Sequence, residues 1–430
     1  DDVSVTAQKS PREGRMIDET QLAYPSLRHR LQPGESLRFT VDTEKRIGPA
    51  VAKAGGISFH RVAGWTGQPY NKQGDYTLDP AIEQAILDLR LPMTRFYAVG
   101  DEPFGTEASI DKAVELLGKV GIPQQSTVLE LETQGATTSI PAADWGNAVR
   151  YSVGRGYGFR YWEVSNEPYI TRADSAFQTP DEYAAHVREV SQAVRAEQPT
   201  AQVGIAINRG SSPWGNYILR AAAGAYGFVV AHHYAVRDIH KRKFEVAVLT
   251  ENYKVLDRCL QLNALCAAYN PGREVYQLDT EWGMHSGGPN GERADYVDRN
   301  ANVFGTLHRA VRLIYYAREG MLRGASSWQM LNRVEAQGFG ILAQQKPEQR
   351  FMLYWLYYYF NRHVGQWALE MTGTAPWYTP PAVEDRSGQF SGPQTPVLAT
   401  LSEDGRSVYL VIANGSWSKP ADCRVHLRSF

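Results

Sequence analysis

Short apolar runs alternate with amphipathic segments from about residue 55 to residue 365. The apolar runs predict eight strands, in residues 55–64, 93–100, 126–133, 159–166, 201–208, 227–236, 274–283 and 324–331. The segments between them show helical patterns, which are clearest in residues 79–91, 109–121, 179–199 and 295–320. Eight strands that alternate with eight helices indicate the α/β class and, within it, a (β/α)8 TIM barrel.

Start signals support three of these helices. Asp79 precedes Pro80, Ser109 opens the second helix, and Thr179 precedes another proline. These residues match the preference for side-chain caps and for proline in the first helical turn. After the last strand, residues 346–365 are predicted to form a large and mostly buried helix.

The two ends of the chain follow a different pattern. Residues 35–42 alternate as a strand, residues 374–396 predict a proline-containing connector, and residues 397–417 predict two strands joined by a turn. We therefore expect the N- and C-terminal segments to share a small accessory β-sandwich that packs on the barrel. The predicted domain limits are 46–370 for the catalytic barrel and, for the accessory β-sandwich, 1–45 and 371–430.

Composition places the chain among ordinary globular proteins. Hydrophobic residues make up 43% and charged residues 21% of its 430 residues, and the net charge is -1. This balance, without a long basic run, argues against a nucleic-acid partner, and no run of eighteen apolar residues predicts a membrane span. Aromatic residues reach 11%, which fits a surface that stacks on flat ligands such as sugar rings.

The three cysteines are odd in number and too few for a disulfide framework. The chain opens with DDVSVTAQKS, which contains neither an initiator methionine nor a signal peptide. This opening fits either a removed signal or trimming. A secreted or periplasmic location is favoured, while the compartment and the oligomeric state are left open.

Two of the predicted strands end in carboxylates. The fourth ends in WEVSNEP, where Pro168 cannot donate a strand hydrogen bond and stops the ladder after Asn166 and Glu167. The seventh ends in QLDTEWG and delivers Glu281 and Trp282. Because a barrel exposes the C-terminal ends of its strands on one face, the two glutamates should meet there. Glycoside hydrolysis requires such a pair, with one carboxyl group as acid and the other as nucleophile or stabiliser.

Two other strands supply groups that could support this pair. Period-two alternation in HHYAV places His232 and Tyr234 on one face, where Tyr234 could hydrogen-bond a nucleophilic carboxylate. Arg95 lies inside the apolar run of the second strand. A buried cation needs a carboxylate partner, so we expect Arg95 to depress the pKa of Glu281.

Four further residues are candidates for the same face. Trp282 and Trp328 are candidate sugar platforms because of their strand-end positions. His60, at the end of the first strand, is equally consistent with a substrate contact and with the core. Glu163 is expected to be a structural partner of Arg95 in place of a third catalytic group.

The stretches WEVSNEP and DTEWG resemble the acid/base and nucleophile motifs of the clan A glycoside hydrolases. These are retaining (β/α)8 barrel enzymes with catalytic glutamates at the ends of strands four and seven. The pattern is most similar to family 39, which includes β-xylosidases and iduronidases, and next to the arabinofuranosidases of family 51. Both families carry a β-sandwich beside the barrel.

This resemblance implies that Glu167 is the acid/base and Glu281 the nucleophile. It also implies that Asn166 binds the sugar 2-hydroxyl and that Tyr234 lies near the nucleophile. One position departs from the pattern, because Ser165 stands where many relatives have tryptophan.

The resulting hypothesis is a retaining glycoside hydrolase, β-xylosidase-like or related, that acts on a polysaccharide or oligosaccharide by a two-glutamate double displacement. Its two carboxyl groups should lie near 5 Å apart, since retaining enzymes hold them about 5 to 5.5 Å apart. No metal or organic cofactor is expected, and the partner is the carbohydrate substrate. The alternative is a carbohydrate-binding barrel that has lost catalysis, which the presence of both Glu167 and Glu281 disfavours. A metal-dependent barrel hydrolase would need several strand-end ligands that the pattern does not supply.

Overall fold

The structure is a computed structural model that describes residues 16–18, 22–25, 27, 31–60, 62, 78–101, 104–132, 139–210, 212–235, 243–284, 303–332, 340–343, 346–381 and 390–430. Its α-helices are α1 (Pro80–Leu89), α2 (Thr106–Val120), α3 (Ala142–Gly154), α4 (Pro180–Glu197), α5 (Pro213–Ala221), α6 (Glu251–Tyr269), α7 (Val303–Glu319) and α8 (Met352–His363). Its strands are β1 (Leu31–Pro33), β2 (Leu37–Pro49), β3 (Gly56–Ile57), β4 (Thr94–Phe96), β5 (Thr127–Glu130), β6 (Tyr161–Val164), β7 (Gln202–Ala206), β8 (Phe228–Val230), β9 (Tyr234–Ala235), β10 (Tyr276–Met284), β11 (Gly324–Ser327), β12 (Leu331–Asn332), β13 (Leu342–Ala343), β14 (Lys346–Arg350), β15 (Trp367–Ala375), β16 (Trp377–Tyr378), β17 (Gly392–Pro393), β18 (Val397–Leu401), β19 (Val408–Ile412) and β20 (Cys423–Arg428).

Eight parallel strands form the barrel. Hydrogen-bonded neighbours follow the order β3, β11, β10, β8, β7, β6, β5 and β4. An isolated parallel bridge between His60 and Phe96 joins the continuation of β3 to β4 and so links the two edges of the sheet. Each of the eight predicted apolar runs overlaps one of these strands, and the predicted α/β barrel is confirmed.

Side chains fill the barrel interior in layers. The lower layer is apolar and includes Met93, Val128, Phe228 and Leu278. Gly204 makes room for Phe228, because a Cβ atom at that position would lie 2.2 Å from the ring. The next layer towards the C-terminal ends of the strands consists of ionisable, fully buried side chains, and it includes Arg95, Glu130 and Glu163. The side chains at the C-terminal mouth of the barrel therefore lie above a close-packed apolar layer.

Two of the three predicted helix starts are confirmed and one is wrong. The Asp79 side chain accepts a hydrogen bond from the Ala81 amide at the start of α1. Thr179 forms a capping box with Glu182 at the start of α4. Ser109 instead lies inside α2, which begins one turn earlier after Gly105. The Ser109 hydroxyl donates to the Gly105 carbonyl, a bond that a serine makes within a helical turn.

The final predicted helix is shorter and more exposed than expected. Residues 346–350 form β14, and only Met352–His363 is helical. Trp355 and Tyr359 expose 45% and 57% of their surface, so the prediction of a mostly buried helix is wrong. The predicted helix over 295–320 begins outside the described residues and is seen as α7. Among the described residues, no helix has the length and apolar character needed to cross a membrane.

A second sheet packs beside the barrel. Its strands follow the order β19, β18, β15, β2 and β20, and β1 pairs with β15. Because β1 and β2 come from the N-terminal segment and β15 and β18–β20 from the C-terminal one, both ends build the accessory unit, as predicted. It takes the form of a mixed sheet, parallel at β2–β20 and antiparallel at β2–β15. The Arg318 guanidinium on α7 donates to the Val397 carbonyl and ties this sheet to the barrel. The limits at 46 and 370 fall within β2 and β15 and stay predictions.

Replacement of Gly204 by alanine should lower the free energy of unfolding by about 1 to 3 kcal/mol, because the added methyl group overlaps the Phe228 ring inside a close-packed barrel. Urea unfolding measures this loss. Gly118→Ala is the matched control, since a Cβ atom there meets nothing within 4 Å on a helix. It should raise stability by about 0.5 to 1 kcal/mol. A Gly204→Ala protein as stable as the wild type would contradict this packing.

Candidate active site

The end of β6 carries two of the predicted site residues on a sharply turned backbone. The strand ends at Val164, and Ser165 and Glu167 then adopt left-handed backbone angles, with φ of 60° and 50°. Non-glycine residues visit this region rarely, so the surrounding contacts must hold it. The turn directs both Asn166 and Glu167 to the inside of the barrel mouth. We call residues 164–167 the β6 hook.

A β-bulge performs the same task on β10. Leu278 faces the barrel interior, whereas Asp279 faces outward and accepts a hydrogen bond from Tyr316 on α7. Strict alternation would therefore turn Glu281 outward as well. The register with β11 shifts between Asp279 and Trp282, and this irregularity re-aims the strand. As a result, Glu281 points inward and Trp282 points to the helices.

The carboxyl groups of Glu167 and Glu281 face each other across the mouth. The Glu167 carboxylate accepts a hydrogen bond from the Tyr169 hydroxyl at 2.9 Å and lies 3.0 Å from Nδ1 of His232. The Glu281 carboxylate accepts from the Tyr234 hydroxyl at 2.9 Å. One oxygen of each carboxylate and one His232 nitrogen lie within 4.8 Å of one another. This upper bound lies below the separation of about 6.5 to 9.5 Å that leaves room for a water molecule, as the expectation of about 5 Å from the sequence requires.

Arg95 joins the groups around this pair. Its guanidinium donates to Glu163 at 2.6 Å, to Asn166 at 2.8 Å and to Glu281 at 3.2 Å. The Arg95 side chain is completely buried. Burial opposes its charge, but Glu163 and Glu281 outweigh burial and raise the pKa of Arg95 above its ordinary value. Arg95 is therefore a permanent cation that fixes the amide of Asn166 and one oxygen of Glu281.

His232 is the second cation of the site. Burial alone lowers its pKa, but the carboxylates of Glu281, Glu163 and Glu167 outweigh burial and raise the pKa of His232 to about 10. The imidazole thus carries two protons at neutral pH. Since a metal ligand must offer a free lone pair, the cluster of Glu167, His232 and Glu281 is better suited to proton transfer than to holding a metal ion.

The two facing glutamates have different surroundings. Burial raises the pKa of both carboxyl groups, but at Glu167 the hydrogen bond from His232 prevails and lowers the pKa below its usual value. At Glu281 burial prevails over His232 and Arg95, and the pKa is raised. Each carboxylate also opposes the charge of the other, so the two titrate as a pair.

The remaining predicted residues fall into two groups. His60 and Trp328 lie together at the mouth, with ring centroids 4.6 Å apart, and His60 also packs on Tyr97 at 4.8 Å. Trp282, by contrast, is completely buried and packs against Tyr316 with a centroid distance of 5.6 Å. The prediction that Trp282 forms a sugar platform is therefore wrong. The bulge that turns Glu281 inward places the next side chain outside the barrel.

Three residues of the site were missed by the sequence patterns. Tyr169 binds Glu167, and nothing in its spacing marks it. Glu130 and Glu132 are both buried beside the mouth, and their alternation in VLELET was a usable signal of two glutamates at a strand end. Burial raises the pKa of Glu130 well above its ordinary value, against the opposing effect of Arg95.

The fold is shared with known glycosidases. The chain is similar to an α-L-arabinofuranosidase from Thermotoga maritima in complex with arabinose, with a TM-score of 0.68, 14% identity, and coverage of 92% of this chain and 88% of that one. A family 51 α-L-arabinofuranosidase from Thermotoga petrophila gives a TM-score of 0.68 at 15% identity, with 92% and 89% covered.

A family 39 β-xylosidase from Caulobacter crescentus gives a TM-score of 0.59 at 17% identity, with 91% and 83% covered. Both families named from the sequence motifs thus have structures with this architecture, which confirms the recognised resemblance at the level of the fold. No protein-family model matches the chain, and no curated protein sequence matches it either.

The raised pKa of His232 predicts a specific pH dependence of stability. A group whose pKa rises from 6.5 to about 10 on folding stabilises the fold below pH 6.5, and this contribution is lost as the pH rises to about 10. We expect the unfolding free energy of the wild type to exceed that of His232→Gln at about pH 6.5. The difference should shrink by several kcal/mol, on the order of 1.4 kcal/mol per pH unit, as the pH rises towards about 10. Chemical unfolding at several pH values checks this. His426→Gln, on the exposed strand β20, is the control and should follow the wild-type profile. A pH-independent difference would contradict the charge of His232.

Proposed function

We propose that this protein is a retaining glycoside hydrolase, β-xylosidase-like or related, that uses Glu167 as acid/base and Glu281 as nucleophile. The observation that carries the proposal is the distance of at most 4.8 Å between an oxygen of each carboxyl group at the mouth of a (β/α)8 barrel. Retaining enzymes hold these groups about 5 to 5.5 Å apart, whereas inverting enzymes leave about 6.5 to 9.5 Å for a water molecule.

In the first step, Glu281 attacks the anomeric carbon while Glu167 gives its proton to the leaving oxygen. The glycosidic bond breaks, the leaving group departs as an alcohol, and the sugar is held as an ester of Glu281. In the second step, Glu167 takes a proton from water, and the water oxygen attacks the anomeric carbon and releases Glu281. Each step restores the protonation state that the other consumes.

This cycle begins with Glu167 protonated and Glu281 ionised, so the one proton that the two carboxyl groups share must lie on Glu167. In the free protein, His232 and the deeper burial of Glu281 oppose that arrangement. Two contacts favour it: Arg95 is a permanent cation 3.2 Å from Glu281, and the Tyr234 hydroxyl donates to the same carboxylate. A leaving oxygen beside Glu167 adds a hydrogen-bond acceptor that only the protonated acid can satisfy. Substrate binding thus moves the shared proton towards Glu167.

The substrate we propose is a carbohydrate that carries a pentose unit at the bond to be cleaved. Most of the similar structures are named as arabinofuranosidases or β-xylosidases, and both arabinose and xylose are pentoses, while one from Croceicoccus marinus is named as a glucosidase. Asn166 supports this use of the mouth, because Arg95 occupies its amide oxygen and leaves the amide nitrogen to donate to a sugar hydroxyl. A carbohydrate-binding barrel without catalysis is disfavoured, since it would have no need to hold Glu167 and Glu281 in a reactive pair.

Glu167→Gln should nearly abolish kcat/KM for natural glycosides and spare kcat/KM for substrates with activated leaving groups. This parameter reports the first step, whereas loss of the base in the second step lowers kcat on every substrate. General acid help matters only when the leaving oxygen departs poorly, and it contributes about 100- to 10,000-fold. The kcat/KM values of alkyl and dinitrophenyl glycosides measure this contrast. Losses of equal size on both substrates would remove Glu167 from the acid role.

Asn166→Ala should cost about 2 to 4 kcal/mol in transition-state stabilisation, because a hydrogen bond to the 2-hydroxyl strengthens as charge develops at the anomeric carbon. The ratio of kcat/KM values between wild type and variant gives this figure. The loss should shrink sharply on 2-deoxy glycosides, which lack the group. A loss of the same size on both sugars would rule out this contact.

The anomeric configuration should be retained in the first product formed, because two displacements at one carbon restore it. NMR spectra of the earliest product show the configuration directly. A 2-fluoro glycoside with a good leaving group should label Glu281, which peptide mass spectrometry locates. An inverted first product, or label on another residue, would overturn the mechanism.

A further inference from the structure

All four residues of the β6 hook are anchored separately. The Val164 carbonyl accepts from the Tyr183 hydroxyl at 2.6 Å, and the Asn166 side chain accepts from Arg95. Glu167 is bound by His232 and Tyr169. The anchors of Val164 and Ser165 lie outside the groups that the proposed reaction uses, and the anchor of Ser165 is a carboxylate.

The Ser165 hydroxyl donates to Glu132, and this contact lies in the protein interior. Glu132 follows β5 and exposes only 2% of its surface, while Ser165 exposes 3%. Ser165 also holds a left-handed φ of 60°, which a non-glycine residue keeps only under restraint. The hydrogen bond is therefore placed at the residue where the hook first leaves the strand.

Three donors fix the other oxygen of Glu132. They are the Ile140 amide at 3.0 Å, the Trp145 indole on α3 at 3.3 Å and the His186 imidazole on α4 at 2.7 Å. These donors come from two helices and from the chain that enters α3, so they determine the position of the carboxylate. One oxygen of Glu132 is held by the scaffold, and the other is presented to Ser165.

We propose that Glu132 is a positioning residue that acts through Ser165 to set the reach of Glu167. The proposal rests on the proposed function, in which Glu167 must meet the leaving oxygen within hydrogen-bond distance. The scaffold fixes Glu132, Glu132 fixes Ser165, and Ser165 fixes the left-handed turn two residues before the acid. We call the hydrogen bond between Ser165 and Glu132 the clamp. Without the clamp the turn relaxes, and the Glu167 carboxyl group moves away from the leaving group.

This role has a signature that loss of folding does not produce. A misplaced acid lowers kcat/KM for the substrates that need a proton on the leaving oxygen, and it leaves kcat/KM for activated substrates nearly unaffected. Partial unfolding lowers all rates by the same factor. The dependence of rate on leaving-group pKa, measured within one preparation, separates the two effects because the folded fraction cancels.

The first experiment compares Ser165→Ala, Ser165→Gly and Ser191→Ala over a series of aryl pentosides with graded leaving groups. Ser191 is a matched control, since it is a buried serine on α4 whose hydroxyl donates to the Ala225 carbonyl at 2.6 Å. We expect both Ser165 variants to lose about 10-fold in kcat/KM on the poorest leaving group and less than about 2-fold in kcat/KM on dinitrophenyl pentosides. Ser191→Ala should keep the wild-type dependence.

The Ser165→Gly variant separates the effect of losing the hydroxyl contact from the effect of backbone strain at this positive φ. It accepts a positive φ without strain but offers no hydroxyl, so it removes the clamp and keeps the turn accessible. Full activity of Ser165→Gly on poor leaving groups would overturn the proposal, as would an unchanged leaving-group dependence in Ser165→Ala. Glu132→Gln tests the carboxylate itself and should shift the dependence in the same direction.

A second readout does not need turnover. Histidine-labelled protein gives the midpoint of His232 titration by NMR, with His232→Gln to assign the signal. Because Glu167 contacts His232 at 3.0 Å, displacement of the hook should lower this midpoint in Ser165→Ala and leave it unchanged in Ser191→Ala. An unmoved midpoint in Ser165→Ala would refute the clamp. A wild-type protein that is inactive on every glycoside would instead overturn the proposed function. The midpoint of the His232 titration in Ser165→Ala would still show whether the contact between Ser165 and Glu132 positions Glu167.

Discussion

The site depends on one buried cation, the guanidinium of Arg95 in the barrel mouth. A charge taken out of water must be balanced by nearby carboxylates, and Arg95 finds Glu163 and Glu281 on two different strands. It also binds Asn166 on the β6 hook. Removal of any partner would leave buried charge unsatisfied, so the positions of these groups depend on one another. The rigidity that the proposed catalytic pair needs thus follows from an electrostatic requirement of folding.

The charges of the mouth also determine how many protons it carries. Arg95 and His232 are the two cations, and Glu163, Glu167 and Glu281 are three carboxyl groups within reach of them. With Glu163 held ionised by Arg95, which lowers its pKa against the effect of burial, two cations face three anions. One further proton on a carboxyl group makes the cluster electrically neutral. The proposed reaction also requires one proton shared between Glu167 and Glu281, so the number of cations matches the protonation state that the reaction needs.

The sequence predicted what repeats along the chain and missed what departs from regular geometry. Apolar runs located all eight barrel strands, and the strand-end rule brought Glu167, Glu281, Arg95 and Tyr234 together, because parallel strands share a direction. Trp282 was misplaced because a bulge in β10 breaks the alternation that the prediction assumed. The left-handed turn at Ser165 and its contact with Glu132 were not visible either. Such contacts join residues 33 apart in sequence and have no period.

The bulge in β10 has a consequence for how this chain can change over time. Asp279 and Glu281 are two residues apart and yet face opposite sides of the strand, which an unbroken ladder cannot achieve. Loss of Thr280 would make Asp279 and Glu281 neighbours on a regular ladder, which also places them on opposite sides of the strand and keeps the carboxylate in the barrel. A substitution that flattened the bulge without shortening the chain would instead turn the carboxylate towards the helices and the indole of Trp282 into the barrel. The direction of Glu281 can therefore survive a one-codon deletion at the bulge but cannot survive a point change that straightens the strand.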